Sequence, residues 1–208
     1  KLVGGRSRFF VSGGAPLNPS TALFFESIGL PILEGYGLTE IPVTNINRPD
    51  KHKIGTVGPT LPGVEIKIAS DGEILARGEN RMSGYFGKPE ATAEAIDADG
   101  WFHTGDIGEF EGTNLKITDR KKDLLVLGNG KNVAPQPIEN KLTASSFINE
   151  AVVLGDGMDY CVALIIPNYD AIRAHLNLSP EEDLSINPEV KALIKREIDR
   201  TNKTLANF

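Results

Sequence analysis

A chain of 208 residues with 40% apolar and 24% charged side chains can bury one good core or two modest ones, which excludes a disordered polymer. A formal net charge of −6 with 22 dispersed lysines and arginines excludes a general basic field, so nucleic acid is not an expected partner. Apolar runs far shorter than the roughly 20 residues of a membrane helix exclude a helical span.

The chain opens on Lys1-Leu2-Val3-Gly4-Gly5-Arg6, which has no signal-peptide pattern and reads as the interior of a domain. Arg8 to Val11 is a short β-rich run ending at Ser12-Gly13-Gly14. A helix follows, with Asn18 as N-cap and Pro19 at its first position. It carries Leu23, Phe24 and Ile28 and ends at Gly29. Pro31 and the apolar pair Ile32-Leu33 then suit a buried strand, and a second glycine-rich turn is expected over 34–40. Strand, glycine turn and helix form an α/β signature.

Two glycines directly after a strand, Gly13 and Gly14 ahead of Ala15, Pro16 and Leu17, let a flat ring or a phosphate approach the backbone, although a tight strand-to-helix turn needs them equally. Tyr36-Gly37-Leu38-Thr39-Glu40 is richer. It offers an aromatic face for a purine, a flexible glycine, a hydroxyl for a phosphate oxygen, and a carboxylate of the hard-oxygen kind that Mg²⁺ accepts beside nucleotide phosphates.

From about 55 to 112 the texture becomes antiparallel β. Val64-Glu65-Ile66-Lys67-Ile68 alternates with period two, Asp71-Gly72 supplies a hairpin turn, and the strand returns from Glu73 to Arg77. One helix is expected near 89–96, then His103-Thr104-Gly105-Asp106 and a strand at Leu115-Lys116-Ile117-Thr118. The Asp106 carboxylate after a glycine suits two hydrogen bonds from ribose hydroxyls, whereas His103 beside Trp101 and Phe102 reads as a packing residue.

Asp119-Arg120-Lys121-Lys122-Asp123 mixes signs tightly between two patterned regions. It reads either as a charged turn or as Arg120 donating to nucleotide oxygens while Lys122 absorbs rotation between domains. The pattern then restarts: a strand over 124–127, the turn Gly128-Asn129-Gly130-Lys131, a helix near 137–144, a hairpin over 151–166, and helices. Cys161, the single cysteine, lies in the apolar run 160–166 and is expected as a buried strand residue rather than a nucleophile. One cysteine forms no internal disulfide and fits a reducing compartment, the cytoplasm by default. The last helix opens at Pro188 with Val190, Leu193, Ile194, Ile198 and Leu205 on one face.

Six segments, in this order, resemble the adenylate-forming superfamily of acyl-CoA synthetases: the runs beginning at Gly13, Tyr36, Gly72, Gly84, Asp99 and Asp119. Within it, the stretches 119–135, 152–156 and 161–168 are similar to the long-chain fatty-acid CoA ligase branch. The resemblance implies that a carboxylate attacks the α-phosphate of ATP and that CoA captures the acyl-adenylate. Gly13, Gly14, Ala15, Pro16, Glu34, Gly35, Tyr36 and Gly37 would then line the nucleotide, Thr39 would touch phosphate and Glu40 the Mg²⁺. Asp106 and Arg120 would hold the ribose, Lys122 would be the hinge, and the loop Gly128, Asn129, Gly130 and Lys131 would face the CoA pantetheine.

The implied architecture is α/β with α+β character: the end of a large α/β domain (1–54), a small antiparallel β-barrel-like subdomain (55–120) and a small α/β C-terminal domain (121–208). Peripheral membrane contact through the fatty substrate is compatible with it. The family's upstream phosphate loop and its late lysine motif are not in the sequence, and neither Lys195 nor Lys203 sits in that motif. Where many members have a lysine this chain has Val126. The expectation is a ligase portion inactive by itself, with an acyl-AMP ligase, a ligase for another carboxylic acid, or a noncatalytic nucleotide-binding module as alternatives.

Overall fold

The computed structural model describes residues 4–205, so the opening Lys1-Leu2-Val3 lies outside the described residues. The chain divides into two compact units, Lys1–Lys122 and Asp123–Phe208.

In the first unit, β1 (Phe10–Ser12) runs parallel to β2 (Ile32–Tyr36), joined by α1 (Pro19–Ser27). The Asn18 side chain accepts from the Ser20 backbone N–H and caps α1, and Gly29 takes the left-handed φ of 77° that ends it. Of this helix only Ala22 is buried, while Leu23, Phe24 and Ile28 are exposed. The glycine-rich turn expected over 34–40 begins later. β2 continues through Glu34, Gly35 and Tyr36 because β3 (Asn45–Ile46) pairs with it antiparallel, and the Thr44 N–H donates to the Tyr36 carbonyl at 2.7 Å.

The β-rich stretch forms one five-stranded antiparallel sheet from β4 (Gly58–Pro59), β5 (Val64–Ile68), β6 (Glu73–Gly78), β7 (Phe102–Glu111) and β8 (Asn114–Arg120), ordered β4-β8-β7-β6-β5. The sheet is open rather than closed into a barrel: β4 and β5 are its edges, and a β4 of two residues is too short to close a ring. A short helix, α2 (Pro89–Ala95), packs beside β7. His103-Thr104-Gly105-Asp106, expected between the 89–96 helix and the strand at Leu115, lies inside the ten-residue strand β7. Tyr36, Val57, Ile74 and Leu115 form one buried cluster, and Ile41, Ala76 and Phe102 another. The first ties the parallel sheet to the antiparallel one.

The second unit follows a 3-10 turn over Lys121–Asp123. It contains the short pair β9 (Leu125–Val126) and β10 (Asn132–Val133), helix α3 (Pro135–Thr143), the hairpin β11 (Ile148–Leu154) and β12 (Val162–Pro167), and helices α4 (Tyr169–Leu176) and α5 (Pro188–Asn202). The apolar stripe of α5 is used in full. Val190 and Leu193 pack with Ile172 and Leu184, while Ile194 and Ile198 pack on Leu127, Val133, Leu142 and Val153, joined by Leu205, which lies past the end of the helix rather than on it. Cys161 is a half-buried free thiol one residue before β12, and burial pushes its pKa up, as suits a packing residue.

Candidate functional site

The first unit gathers most of the sequence-predicted site residues around the C-terminal ends of β1 and β2. Ser12 pairs with Glu34, so Gly13 passes beside Gly35, where a Cβ would stand 3.2 Å from the Gly35 carbonyl oxygen. Gly14 adopts a φ of 81°, which glycine takes without strain. Ala15 is exposed and Pro16 exposed beside it, leaving this strand-to-helix turn open. Glu34 accepts from the Gly55 N–H at 3.3 Å; burial raises its pKa, against which the backbone N–H groups of Gly55 and Leu17 pull.

Register decides the next part. Asp106 on β7 lies directly opposite Arg120 on β8, and the guanidinium Nε stands 3.4 Å from Asp106 Oδ1. The other carboxylate oxygen accepts from the Tyr36 hydroxyl at 2.6 Å, across 70 residues of sequence. Burial first, and then the Asp106 carboxylate, push the Tyr36 phenol well above its ordinary range. Tyr36 is only 8% exposed, so most of its ring is packed and its hydroxyl braces the carboxylate. A carboxylate offers about four acceptor sites, and Tyr36 and Arg120 engage one oxygen each of the Asp106 side chain, which is 7% exposed.

After Tyr36 the chain turns sharply. A Cβ on Gly37 would lie 2.2 Å from the Val43 nitrogen, so only glycine passes here. Leu38 and Ile41 exchange backbone hydrogen bonds of 3.1 and 3.2 Å, lifting an exposed Thr39 and a half-buried Glu40 onto the tip of the turn. Their hydroxyl and carboxylate are hard oxygen donors. Among the described residues no group of three or more His, Cys, Asp or Glu is placed to hold a metal. One carboxylate, that of Glu40, is the donor type Mg²⁺ takes beside phosphates when it keeps most of its waters.

Lys122 stands exposed in the 3-10 turn at the division between the units. Gly128, Asn129, Gly130 and Lys131 belong to the second unit, where they form an exposed turn closed by the Leu127 N–H on the Lys131 carbonyl at 2.9 Å.

Residues not anticipated from the sequence complete the setting. Glu73, 4% exposed, accepts from the Gly105 N–H at 3.0 Å, from Lys121 Nζ at 3.0 Å, and faces His103 Nδ1 at 3.2 Å. Lys121 also reaches Asp71 at 2.7 Å. Desolvation works to raise the Glu73 pKa, but Lys121, His103 and the Gly105 amide together hold it below the usual carboxylate value. A group with a depressed native pKa stabilises the fold above its unfolded pKa, about 4.3, and loses that contribution as pH falls through the native value. Glu73→Gln is therefore expected to cost about 1–3 kcal/mol near pH 7, with the gap to wild type closing below about pH 4. Denaturant unfolding of both proteins across pH 3–8 checks this, and a gap independent of pH would refute it. The only sequence signal was a glutamate at an inward strand position.

The parallel strands β1 and β2 thus end at a glycine turn, with Asp106, Arg120 and the turn bearing Thr39 and Glu40 in the same unit. The AMP-binding enzyme family matches residues 2–86, and the AMP-binding enzyme C-terminal domain matches 122–207. The chain belongs to the AMP-binding enzyme family. It is similar to the long-chain-fatty-acid–CoA ligase FadD15 of Mycobacterium tuberculosis, 39% identical over 216 residues covering 99% of this chain and 35% of that protein. It is also similar to human long-chain-fatty-acid–CoA ligase 6, 35% identical over 221 residues covering 97% of this chain and 32% of that one. Among solved structures, the A-PCP didomain of the carboxylic acid reductase of Segniliparus rugosus in complex with AMP is similar with a TM-score of 0.77 and 25% identity, covering 100% of this chain and 29% of that one. The chain thus spans about a third of the length of the curated relatives it matches.

Proposed function

We propose that this chain is the ribose-holding and phosphate-facing portion of a long-chain fatty-acid–CoA ligase that makes acyl-CoA through an acyl-adenylate. A carboxylate oxygen of the fatty acid attacks the α-phosphorus of ATP, and the bond to the departing pyrophosphate breaks. The CoA thiol then attacks the acyl carbonyl and AMP leaves. The observation carrying the reading is the Asp106 carboxylate, set opposite Arg120 and braced by the Tyr36 hydroxyl. That is an acceptor placed for ribose hydroxyls beside the turn that bears Thr39 and Glu40.

In this reading Asp106 and Arg120 orient the ribose, Gly13, Gly14, Ala15 and Pro16 border the base, and Thr39 donates to a phosphate oxygen. Glu40 holds Mg²⁺, which when bound supplies positive charge to the phosphates as two anions meet. Lys122 serves as pivot, a role that the division of the chain at Lys122 supports. The turn carrying Gly128, Asn129, Gly130 and Lys131 borders the pantetheine of CoA.

The test is pyrophosphate release by the intact ligase, given ATP, Mg²⁺ and fatty acids of rising length, with and without CoA. Release is expected to peak with long acids, to yield acyl-CoA, and to fall about 100-fold in Glu40→Ala, the scale seen when one preorganised electrostatic group is lost. Release that peaks with a different acid, or stops at the adenylate when CoA is present, would transfer the chain to another adenylate-forming activity. No release with any acid would leave a nucleotide-binding module.

A further inference from the structure

We infer that Tyr85 is a positioning residue for the Glu40 carboxylate, holding one of its oxygens so that the other is presented to the divalent cation of the nucleotide. The inference rests on the reading of Glu40 as the cation ligand. The two residues are 45 positions apart, and the Tyr85 hydroxyl donates to Glu40 Oε1 at 2.8 Å. Glutamate has three side-chain torsions and loses more freedom on being fixed than most residues. A tyrosine hydroxyl on a rigid two-torsion ring removes much of that freedom before any ligand arrives.

Both partners are themselves held. The Glu40 carbonyl accepts from the Met82 N–H at 2.6 Å, and Asn80 Nδ2 donates to the Pro42 carbonyl at 2.7 Å, so the 80–85 segment is laced to the turn that carries Glu40. Next to Glu40, Ile41 is fully buried among Ala76 and Phe102, with Ala95 and Ile96 at the end of α2 packed on the same cluster. On the other side, Thr92 of α2 accepts the Tyr85 N–H at 2.9 Å and donates to the Lys88 carbonyl at 2.8 Å. A Cβ on Gly84 would stand 2.8 Å from Thr92 Cγ2, so the backbone is pressed onto α2 where Tyr85 leaves it. One apolar cluster thus anchors both the turn bearing Glu40 and the helix that aims Tyr85.

A carboxylate that ligates a metal is commonly oriented by an outer hydrogen bond, and losing such a partner typically costs 10–100-fold in metal affinity. The test uses the intact ligase with α,β-methylene ATP, which cannot release pyrophosphate. Bound Mn²⁺ is read by electron paramagnetic resonance as the free-ion signal disappears. Tyr85→Phe, which keeps the ring, is expected to raise half-saturating Mn²⁺ about 10-fold, to leave metal-free nucleotide affinity and the melting temperature unchanged, and to add nothing on a Glu40→Gln background. If Glu40→Gln weakens Mn²⁺ binding while Tyr85→Phe matches wild type, the inference fails and the reading of Glu40 stands. If Glu40→Gln itself leaves Mn²⁺ binding unchanged, that reading falls and the inference with it. An equal Tyr85→Phe effect on the Glu40→Gln background would also overturn the inference, since Tyr85 would then act through the loop alone.

Discussion

Asp106→Ala in the intact ligase is expected to lower nucleotide affinity about 100-fold, roughly 2.8 kcal/mol at 1.4 kcal/mol per tenfold change. Hydrogen bonds to a charged acceptor contribute about 1.5–3 kcal/mol each, and in the proposed role the carboxylate accepts from two ribose hydroxyls, partly replaced by water in the variant. The same change removes the acceptor of a buried tyrosine hydroxyl, the 2.6 Å bond from Tyr36. Leaving that donor unsatisfied costs a further 1–3 kcal/mol or so of folding stability. The two losses separate in a double-mutant cycle with Tyr36→Phe, which removes the orphaned hydroxyl: the double variant regains stability without regaining affinity. Calorimetric titration with AMP and denaturant unfolding supply the numbers. Affinity within twofold of wild type would remove Asp106 from the ribose site.

Gly37→Ala is expected to be more damaging than its single added methyl suggests. The new Cβ would meet the Val43 nitrogen at 2.2 Å and its Cα at 2.8 Å, and neither is the far end of a flexible side chain. The turn from Gly37 to Thr44 must open, which strains the Leu38 and Ile41 hydrogen bonds and the bond from the Thr44 N–H to the Tyr36 carbonyl. Overpacking costs about 1–3 kcal/mol and occasionally more. Thr39 and Glu40 ride on the same turn, and a displacement near 1 Å of positioned groups can cost about 100-fold in rate. Gly35→Ala is the matched control for stability, because its Cβ would meet the Ile46 side chain at 3.4 Å, an ordinary contact. Melting temperature and pyrophosphate release check Gly37→Ala; a variant as stable as Gly35→Ala and as active as wild type would refute the steric account.

Local features of this protein were legible because their causes are local. Asn18 and Pro19 start α1 through a side-chain cap and a preset φ. The alternation of 64–68 and the Asp71-Gly72 turn produce the β5–β6 hairpin, and the spacing of Val190, Leu193, Ile194 and Ile198 puts them on one buried face of α5. Tyr36, Thr39, Glu40, Asp106 and Arg120 could be singled out as candidates one by one, since each offers a recognisable ring, donor or acceptor.

Their assembly was not, because period-two and period-3.6 patterns contain no term for which strand meets which. Only strand register sets Asp106 opposite Arg120, and only the joining of the two sheets carries the Tyr36 hydroxyl to that carboxylate. The continuation of β2 through Gly35 depended on β3 pairing with it, and the open sheet in place of a barrel depended on how short β4 is. Glu73 and Tyr85 read as ordinary strand and loop residues until tertiary contacts brought Lys121 and the Gly105 amide to the first and Glu40 to the second. Residue types and local geometry were thus determined by the sequence itself. Which hydroxyl donates to which carboxylate across 45 to 70 residues was decided only by the packing of the folded chain.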